Sequence, residues 1–244
     1  MKKVFLSLWL LLAIIFLFAG CAGRGTDNQQ TERERIIVID DSGASTIDLE
    51  LFKKIINQNS AEGLGEKEKT GLVYLAGEEK MLRDFFAKMA EKYREKPFGY
   101  LATAESGHVA AVKILLEKYE LADQAGMDLP TGEFADKKIK EFFDKQTVAG
   151  EASGEAALVA GLEMIEFNIK DIEQFTFSTA RPDLRQSYNL LAQVARNHLR
   201  ELWKSLPEKE GELKYKPKYI SEEQFKSIVD SATEDIPSFR LNLD

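Results

Sequence analysis

The sequence predicts an all-α protein, a four-helix bundle with one long crossover between its second and third helices. From Glu66 onwards, apolar residues recur at three- and four-residue intervals, which is the periodicity of an amphipathic helix. All six prolines fall where helices could begin, end or give way to loops. Two of the three joints between the predicted long helices are short and one is long, as a single crossover requires.

The helical domain is preceded and followed by shorter elements. The four long helices are predicted at 66–94, 97–119, 152–175 and 182–206, with a small helix near 136–145 inside the long joint. Before them, 36–39 is predicted as a short strand and 45–56 as a short amphipathic helix capped by Ser45. After them, we expect 215–220 to run back over the bundle and Ser221 to begin a last short helix with capping-box spacing.

The N-terminus has the organisation of an export signal. Lys2 and Lys3 precede an apolar run that is too short to span a bilayer and that ends in small residues. The segment 17–21, Leu-Phe-Ala-Gly-Cys, resembles the lipobox of bacterial lipoproteins. The resemblance implies cleavage after residue 20, lipidation of Cys21, and anchoring to the extracytoplasmic face of a cell membrane.

These boundaries divide the chain into four parts. They are a lipoprotein signal peptide (1–20), a polar tether with a short N-terminal segment (21–62), the helical domain (63–232) and a tail (233–244).

Composition excludes several kinds of site. Cys21 is the only cysteine, so the mature domain has no disulfide, no cysteine-ligated zinc or iron–sulfur site and no thiol chemistry. The formal charge is −8 and becomes −10 when Lys2 and Lys3 leave with the signal peptide. This acidity argues against nucleic acid as a partner and leaves membrane attachment to the lipid.

Each long helix places a carboxylate or an imidazole within its predicted apolar stripe. These residues are Glu79 on the first helix, Glu105 and His108 on the second, Glu166 with Glu163 on a neighbouring row of the third, and His198 on the fourth. Burial of unpaired carboxylates is costly, so the residues need compensating partners. Carboxylate oxygens with imidazole suit iron or manganese, and the three-residue spacing of Glu105 and His108 puts both on one helix face.

The same pattern of inward Glu and His residues is compatible with a site that holds no metal. A metal-free buried Glu–His network, or a stripe assigned to the wrong helix face, would also produce it. Solvated helix faces are expected for the remaining helical carboxylates Glu78, Glu91, Glu141, Glu155 and Glu173.

The segments 77–84 and 104–112 resemble the first two helices of ferritin-like proteins related to rubrerythrin. The segments 197–200 and 218–223 resemble an uncharacterised ferritin-like domain family of exported prokaryotic proteins, and the resemblance extends over about 63–231. It implies a ferritin-like bundle and a di-iron or di-manganese centre. The implied ligands are Glu79, Glu105, His108, Glu166 and His198, with Glu163 as an additional candidate.

The fourth helix departs from this pattern. Rubrerythrin-like proteins have a bridging Glu three residues before the last histidine, where this chain has Ala195. Glu163 or Glu201 could compensate; otherwise the resemblance implies a site with a single metal or with weak binding.

Two functions follow from the sequence. The first is a membrane-tethered protein that binds iron or manganese, with di-metal oxidase or peroxidase activity left open and an external reductant required for turnover. The alternative is a metal-free four-helix module that binds another cell-envelope protein. Neither catalytic residues nor an oligomeric state are predicted.

Overall fold

The computed structural model describes residues 35–41, 43–58, 63–94, 97–207 and 215–235. The predicted signal peptide, Cys21, most of the tether and the end of the tail lie outside these residues. Within the described part of the chain, none of the helices combines the length and apolarity needed to cross a bilayer.

The described residues form seven α-helices and a two-stranded sheet. In chain order the elements are β1 (Ile37–Ile39), β2 (Ser45–Ile47), α1 (Leu49–Ile56), α2 (Glu66–Tyr93), α3 (Phe98–Lys118), α4 (Lys137–Gly150), α5 (Gly154–Ser178), α6 (Pro182–Ser205) and α7 (Glu222–Asp230). The four predicted long helices are α2, α3, α5 and α6, and the crossover between α3 and α5 contains α4. The all-α prediction is therefore confirmed.

Local sequence explains where several helices begin. Asp136 accepts hydrogen bonds from the first main-chain N–H groups of α4, and Ser153 caps α5 in the same way. Pro182 occupies the first turn of α6, where its missing N–H costs nothing. Ser221 caps α7 by accepting from the N–H of Gln224, as its spacing predicts.

The packing places a polar layer between two apolar cores. α2 packs against α3 and α5, α5 packs against α6, and α4 covers α2 and α5, while β2 and α1 contact both α3 and α6. One apolar cluster includes Leu72 and Leu191, and the other includes Phe86 and Leu202. Buried Glu, His and Asn side chains lie between the two clusters along the long helices.

The prediction that 45–56 is one helix capped by Ser45 is wrong at its beginning. Residues 45–47 form β2, which pairs antiparallel with β1 in the register Ile37 to Ile47. The helix begins later, at Leu49, because the Asp48 carboxylate accepts the N–H of Leu51 and is the actual cap. Ser45 is buried in the strand instead.

Glu78 also differs from its prediction. Its side chain is completely buried, whereas Glu91, Glu141, Glu155 and Glu173 are exposed as expected. α2 is enclosed by α3, α4 and α5, so its buried surface is wider than a single inward stripe.

Candidate metal centre

Three buried side chains from two helices converge within the polar layer. Oε2 of Glu105 lies 2.9 Å from Nδ1 of His108, one turn further along α3. Oε1 of the same carboxylate lies 2.8 Å from Nδ1 of His198 on α6. The ligand atoms of Glu105, His108 and His198 all lie within 4.8 Å of one another, so this Glu–His–His triad could hold a metal ion.

The β-hairpin provides the other side of the triad. Nε2 of His108 and Nε2 of His198 each lie 2.9 Å from the main-chain carbonyl oxygen of Ser45. The two imidazole rings stack with their centroids 5.0 Å apart and their planes 16° apart. One carbonyl group on β2 therefore orients both rings, the role that an outer hydrogen-bond acceptor has at metal-binding histidines.

Burial and charge act in opposite directions at this site. Burial alone would raise the pKa of Glu105, but the charges of the two histidines and their hydrogen bonds lower it to about 2. Burial alone would lower the pKa of His108, yet the Glu105 carboxylate, with help from Glu79, raises it to about 10. Glu105 and His108 thus favour each other's charged forms.

The two rings differ at Nε2: His108 meets the carbonyl oxygen of Ser45 and donates to it, whereas His198 also lies 3.2 Å from the N–H of Ser45 and can accept from it. A neutral His108 with its proton on Nε2 has a lone pair on Nδ1 that faces a carboxylate oxygen of Glu105 at hydrogen-bonding distance. A second proton on the ring or a metal cation removes this repulsion. Two imidazole nitrogens with one carboxylate also form the ligand set typical of non-haem iron(II), so the residues fit a metal.

Glu79 and Asn168 extend the triad towards α2 and α5. Oε2 of Glu79 lies 3.6 Å from Nδ1 of His108, close enough for Glu79 to become a fourth ligand after a small movement. Nδ2 of Asn168 donates to Oε1 of Glu79 over 3.2 Å. Burial raises the pKa of Glu79, and the hydrogen bond to His108 opposes that effect.

The structure does not bring the two predicted α5 carboxylates to the triad. Glu163 accepts a hydrogen bond from Gln146 at 2.9 Å and pairs with Lys218. Oε2 of Glu166 accepts the main-chain N–H groups of Lys218 at 2.8 Å and Tyr219 at 2.9 Å. Both carboxylates thus contact the segment that runs back over the bundle.

α6 does not supply a substitute for the missing bridging Glu either. Ala195 is buried in one of the apolar clusters. Glu201 accepts a hydrogen bond from Lys204 at 2.7 Å and lies beside Gly43 at the turn of the hairpin. His198 is the residue by which α6 contributes to the site.

The sequence analysis did not predict that Ser45 and Asn168 are part of the site. Ser45 acts through its main-chain carbonyl, for which no side-chain pattern exists. Asn168 did have a pattern, because Gly161, Ile165, Asn168 and Ile172 follow each other at helical spacing and all are buried. A polar residue on that row marks a second inward face of α5.

A family model described as an uncharacterized protein domain, DUF2202, matches residues 68–232. The chain belongs to the DUF2202 family. Glu79 and the three residues of the triad lie within the matched residues, whereas Ser45 and the β-hairpin precede them.

A DUF2202 relative and its solved structure are similar to this chain. The "Uncharacterized protein MJ0754" of Methanocaldococcus jannaschii is 33% identical over 171 residues, which are 70% of this chain and 91% of the relative. The crystal structure of the hypothetical protein MJ0754 superposes with a TM-score of 0.66 at 34% identity, covering 71% of this chain and 97% of that one. These similarities support the helical fold, and the function has to be inferred from the site.

Proposed function

We propose that this DUF2202 protein binds iron or manganese through Glu105, His108 and His198, with Glu79 as a fourth ligand. The observation that supports this most strongly is the convergence of two Nδ1 atoms on one buried carboxylate while a single carbonyl group orients both rings. Imidazole and carboxylate ligands together suit these two metals. The triad supports one ion per chain, because Glu163 and Glu166 are engaged elsewhere.

A bound iron or manganese would supply one-electron chemistry with oxygen or peroxide. In that proposal the chain itself binds the ion, keeps the rings in a fixed orientation and encloses the site, since all three ligands are at most 2% exposed. We also propose that the protein has oxidase or peroxidase activity and that it is related to ferritin-like proteins. A separate reductant would be needed, because the single cysteine cannot build an electron-transfer cluster.

Membrane tethering is part of the same proposal. The lipobox-like segment 17–21 supports lipidation of Cys21, which would place the domain at the extracytoplasmic face of a membrane. There the ion would be taken from outside the cytoplasm.

The metal-free module is the second candidate. Both nitrogens of each ring already have a hydrogen-bond partner in Glu105 or Ser45, so the triad makes a self-sufficient network without a metal. In that case the Glu–His–His triad would stabilise a bundle that binds another cell-envelope protein.

Metal content separates the two candidates. We would load the full-length chain in detergent with Fe(II) under anaerobic conditions and measure metal per chain by elemental analysis, repeating the measurement with Mn(II). We expect about one ion per chain, lost in a His108→Ala/His198→Ala variant because two ligands are removed.

Glu163→Gln is the matched control, because it removes a predicted ligand that lies outside the Glu–His–His triad. This variant should keep the metal. Two ions per chain, with one lost in Glu163→Gln, would restore the di-metal site. Metal at the level of the histidine variant, with either ion, would leave the metal-free module as the better account.

A further inference from the structure

A second group of buried acidic side chains lies between α2 and α5, next to the Glu–His–His triad but separate from it. Glu78 is completely buried, Asp171 is 8% exposed and Asn168 is 1% exposed. The Asp171 carboxyl lies within hydrogen-bonding reach of Glu78. Two acidic groups are thus held together where water has almost no access.

Oxygen atoms in this group lack partners. Among the residues that the structure describes, no hydrogen-bond donor reaches Oε1 of Glu78 or Oδ1 of Asn168. Nδ2 of Asn168 lies 3.4 Å from Oε2 of Glu78, which is a weak contact, and Lys170 pairs with Asp171 at 3.0 Å. Buried polar atoms of this kind normally have a partner, so the oxygens point to a bound group.

The electrostatics demand a positive charge at the same place. Glu78 and Asp171 are both buried and lie within hydrogen-bonding reach, so two charged carboxylates would repel each other where little water can screen them. Lys170 offsets only part of the negative charge, because its ion pair is with Asp171. A shared proton or a cation would stabilise the pair.

We propose that Glu78, Asn168 and Asp171 form a binding site for a hard divalent cation of the Ca²⁺ type. The available ligands are two carboxylates and one amide oxygen, without imidazole, and this set of oxygens suits such ions. The site is distinct from the triad in its ligands and in its metal preference.

Asn168 connects the two sites. Its amide donates to Glu78 and also to Glu79, which lies beside His108. A cation bound to Oδ1 would hold this amide in place and thereby position Glu79 towards the triad. The two sites therefore share Asn168, although their ligands are separate.

Calcium is the probe that separates this site from the triad, because Ca²⁺ prefers oxygen ligands. We would treat the full-length chain in detergent with a chelator and measure Ca²⁺ binding by equilibrium dialysis and the Ca²⁺-dependent shift of the melting temperature. Glu78→Gln and Asp171→Asn are expected to weaken Ca²⁺ binding by about tenfold or more, since each removes one ligand charge. Glu91→Gln, an exposed carboxylate on the same helix, should bind like the wild type.

Stability without Ca²⁺ shows whether the variants are folded. Glu78→Gln should melt no lower than the wild type under these conditions, because glutamine has nearly the same shape and its amide can donate to the Asp171 carboxylate. Equal Ca²⁺ binding by wild type and Glu78→Gln would overturn the proposal. So would a wild type without any Ca²⁺ shift, which would mean that the pair shares a proton.

Iron content tests metal binding by the triad independently of Ca²⁺ binding by the oxygen site. Glu78→Gln should retain iron, so loss of Ca²⁺ binding with iron retained would support the oxygen site alone. Failure to bind iron in the wild type would refute the function proposed for the triad without affecting the Ca²⁺ result.

Discussion

Glu105 is buried on α3 and contacts both histidines through different oxygens of one carboxylate. Removing such a charge leaves two buried imidazoles without their main counter-ion. Because the pKa of His108 is raised from its ordinary value to about 10, its charged form stabilises the fold at pH values below about 6.5. That contribution disappears as the pH rises towards 10.

The first prediction concerns the stability of the metal-free protein. It follows from the stabilisation that charged His108 provides at low pH. Glu105→Gln should lower the free energy of unfolding by about 3–5 kcal/mol near pH 6, as expected for one partner lost from a buried ion pair. The difference from wild type should shrink as the pH rises towards and through about 10, because His108 loses its proton in the wild type over that range. Urea unfolding of chelator-treated wild type and Glu105→Gln between pH 6 and pH 10 measures this difference in the free energy of unfolding.

Glu117→Gln serves as the control, because Glu117 is exposed on the same helix. It should leave stability unchanged across the whole range. A difference between wild type and Glu105→Gln that stays constant or grows with pH would contradict the charged His108–Glu105 pair.

The hairpin of β1 and β2 is the element that completes the site. β2 contacts both α3 and α6, so Ser45 can reach a histidine on each helix. This close approach requires Gly107, because a Cβ at that position would overlap Oγ1 of Thr46. Glycine in the middle of α3 therefore has a packing reason that outweighs its low helix propensity.

The second prediction is that Gly107→Ala destabilises the protein by about 1–3 kcal/mol, the usual cost of adding a group to a packed position. Thr46 would have to shift, and the Ser45 carbonyl would move with it. Thermal or urea unfolding measures the loss, and metal content should fall in the same variant.

Gly99→Ala on the same helix is the matched comparison, because among the described residues nothing beyond its chain neighbours and its own helix backbone lies within 4 Å of the added Cβ. Alanine is the better helix former, so this variant should be as stable as the wild type or slightly more stable. Equal changes in stability from the two substitutions would show that the hairpin does not pack closely against α3 at Gly107.

At the scale of the whole molecule, a polar layer divides the bundle into two apolar cores. Apolar clusters above and below the layer keep the buried charges away from solvent. Because water is excluded, an unpaired charge in the layer is costly and each paired charge is held firmly in place. A bundle that must fold around such a layer depends on its protons or cations for stability.

The third prediction concerns attachment of the full chain to a membrane. When the full-length gene is expressed in a bacterial host, Cys21→Ala should keep its signal peptide and run larger than the wild type on a gel, because the expected cleavage before Cys21 follows its lipidation. Incorporation of a labelled fatty acid should be lost in the same variant. A wild type that incorporates no labelled fatty acid, or a Cys21→Ala variant that incorporates as much as the wild type, would disprove the lipid anchor.

The long helices could be predicted from sequence because their information is local. Periodic apolar residues, prolines and caps such as Ser221 act within a few turns of chain, and the observed bounds of α2, α3, α5 and α6 agree closely with the predicted ones. The same periodicity placed Glu105, His108 and His198 on inward faces, and the structure brings these three together.

Tertiary structure alone decided the partners of the remaining residues. Glu163 and Glu166 are buried as their row predicts, but they bind Gln146 and the returning segment at Lys218, which no local pattern reveals. Ser45 joins the site through a main-chain carbonyl from a strand about 60 residues away from His108, as the hairpin places it there. Periodicity determines which side chains leave water, whereas the packing of distant segments determines what those side chains meet.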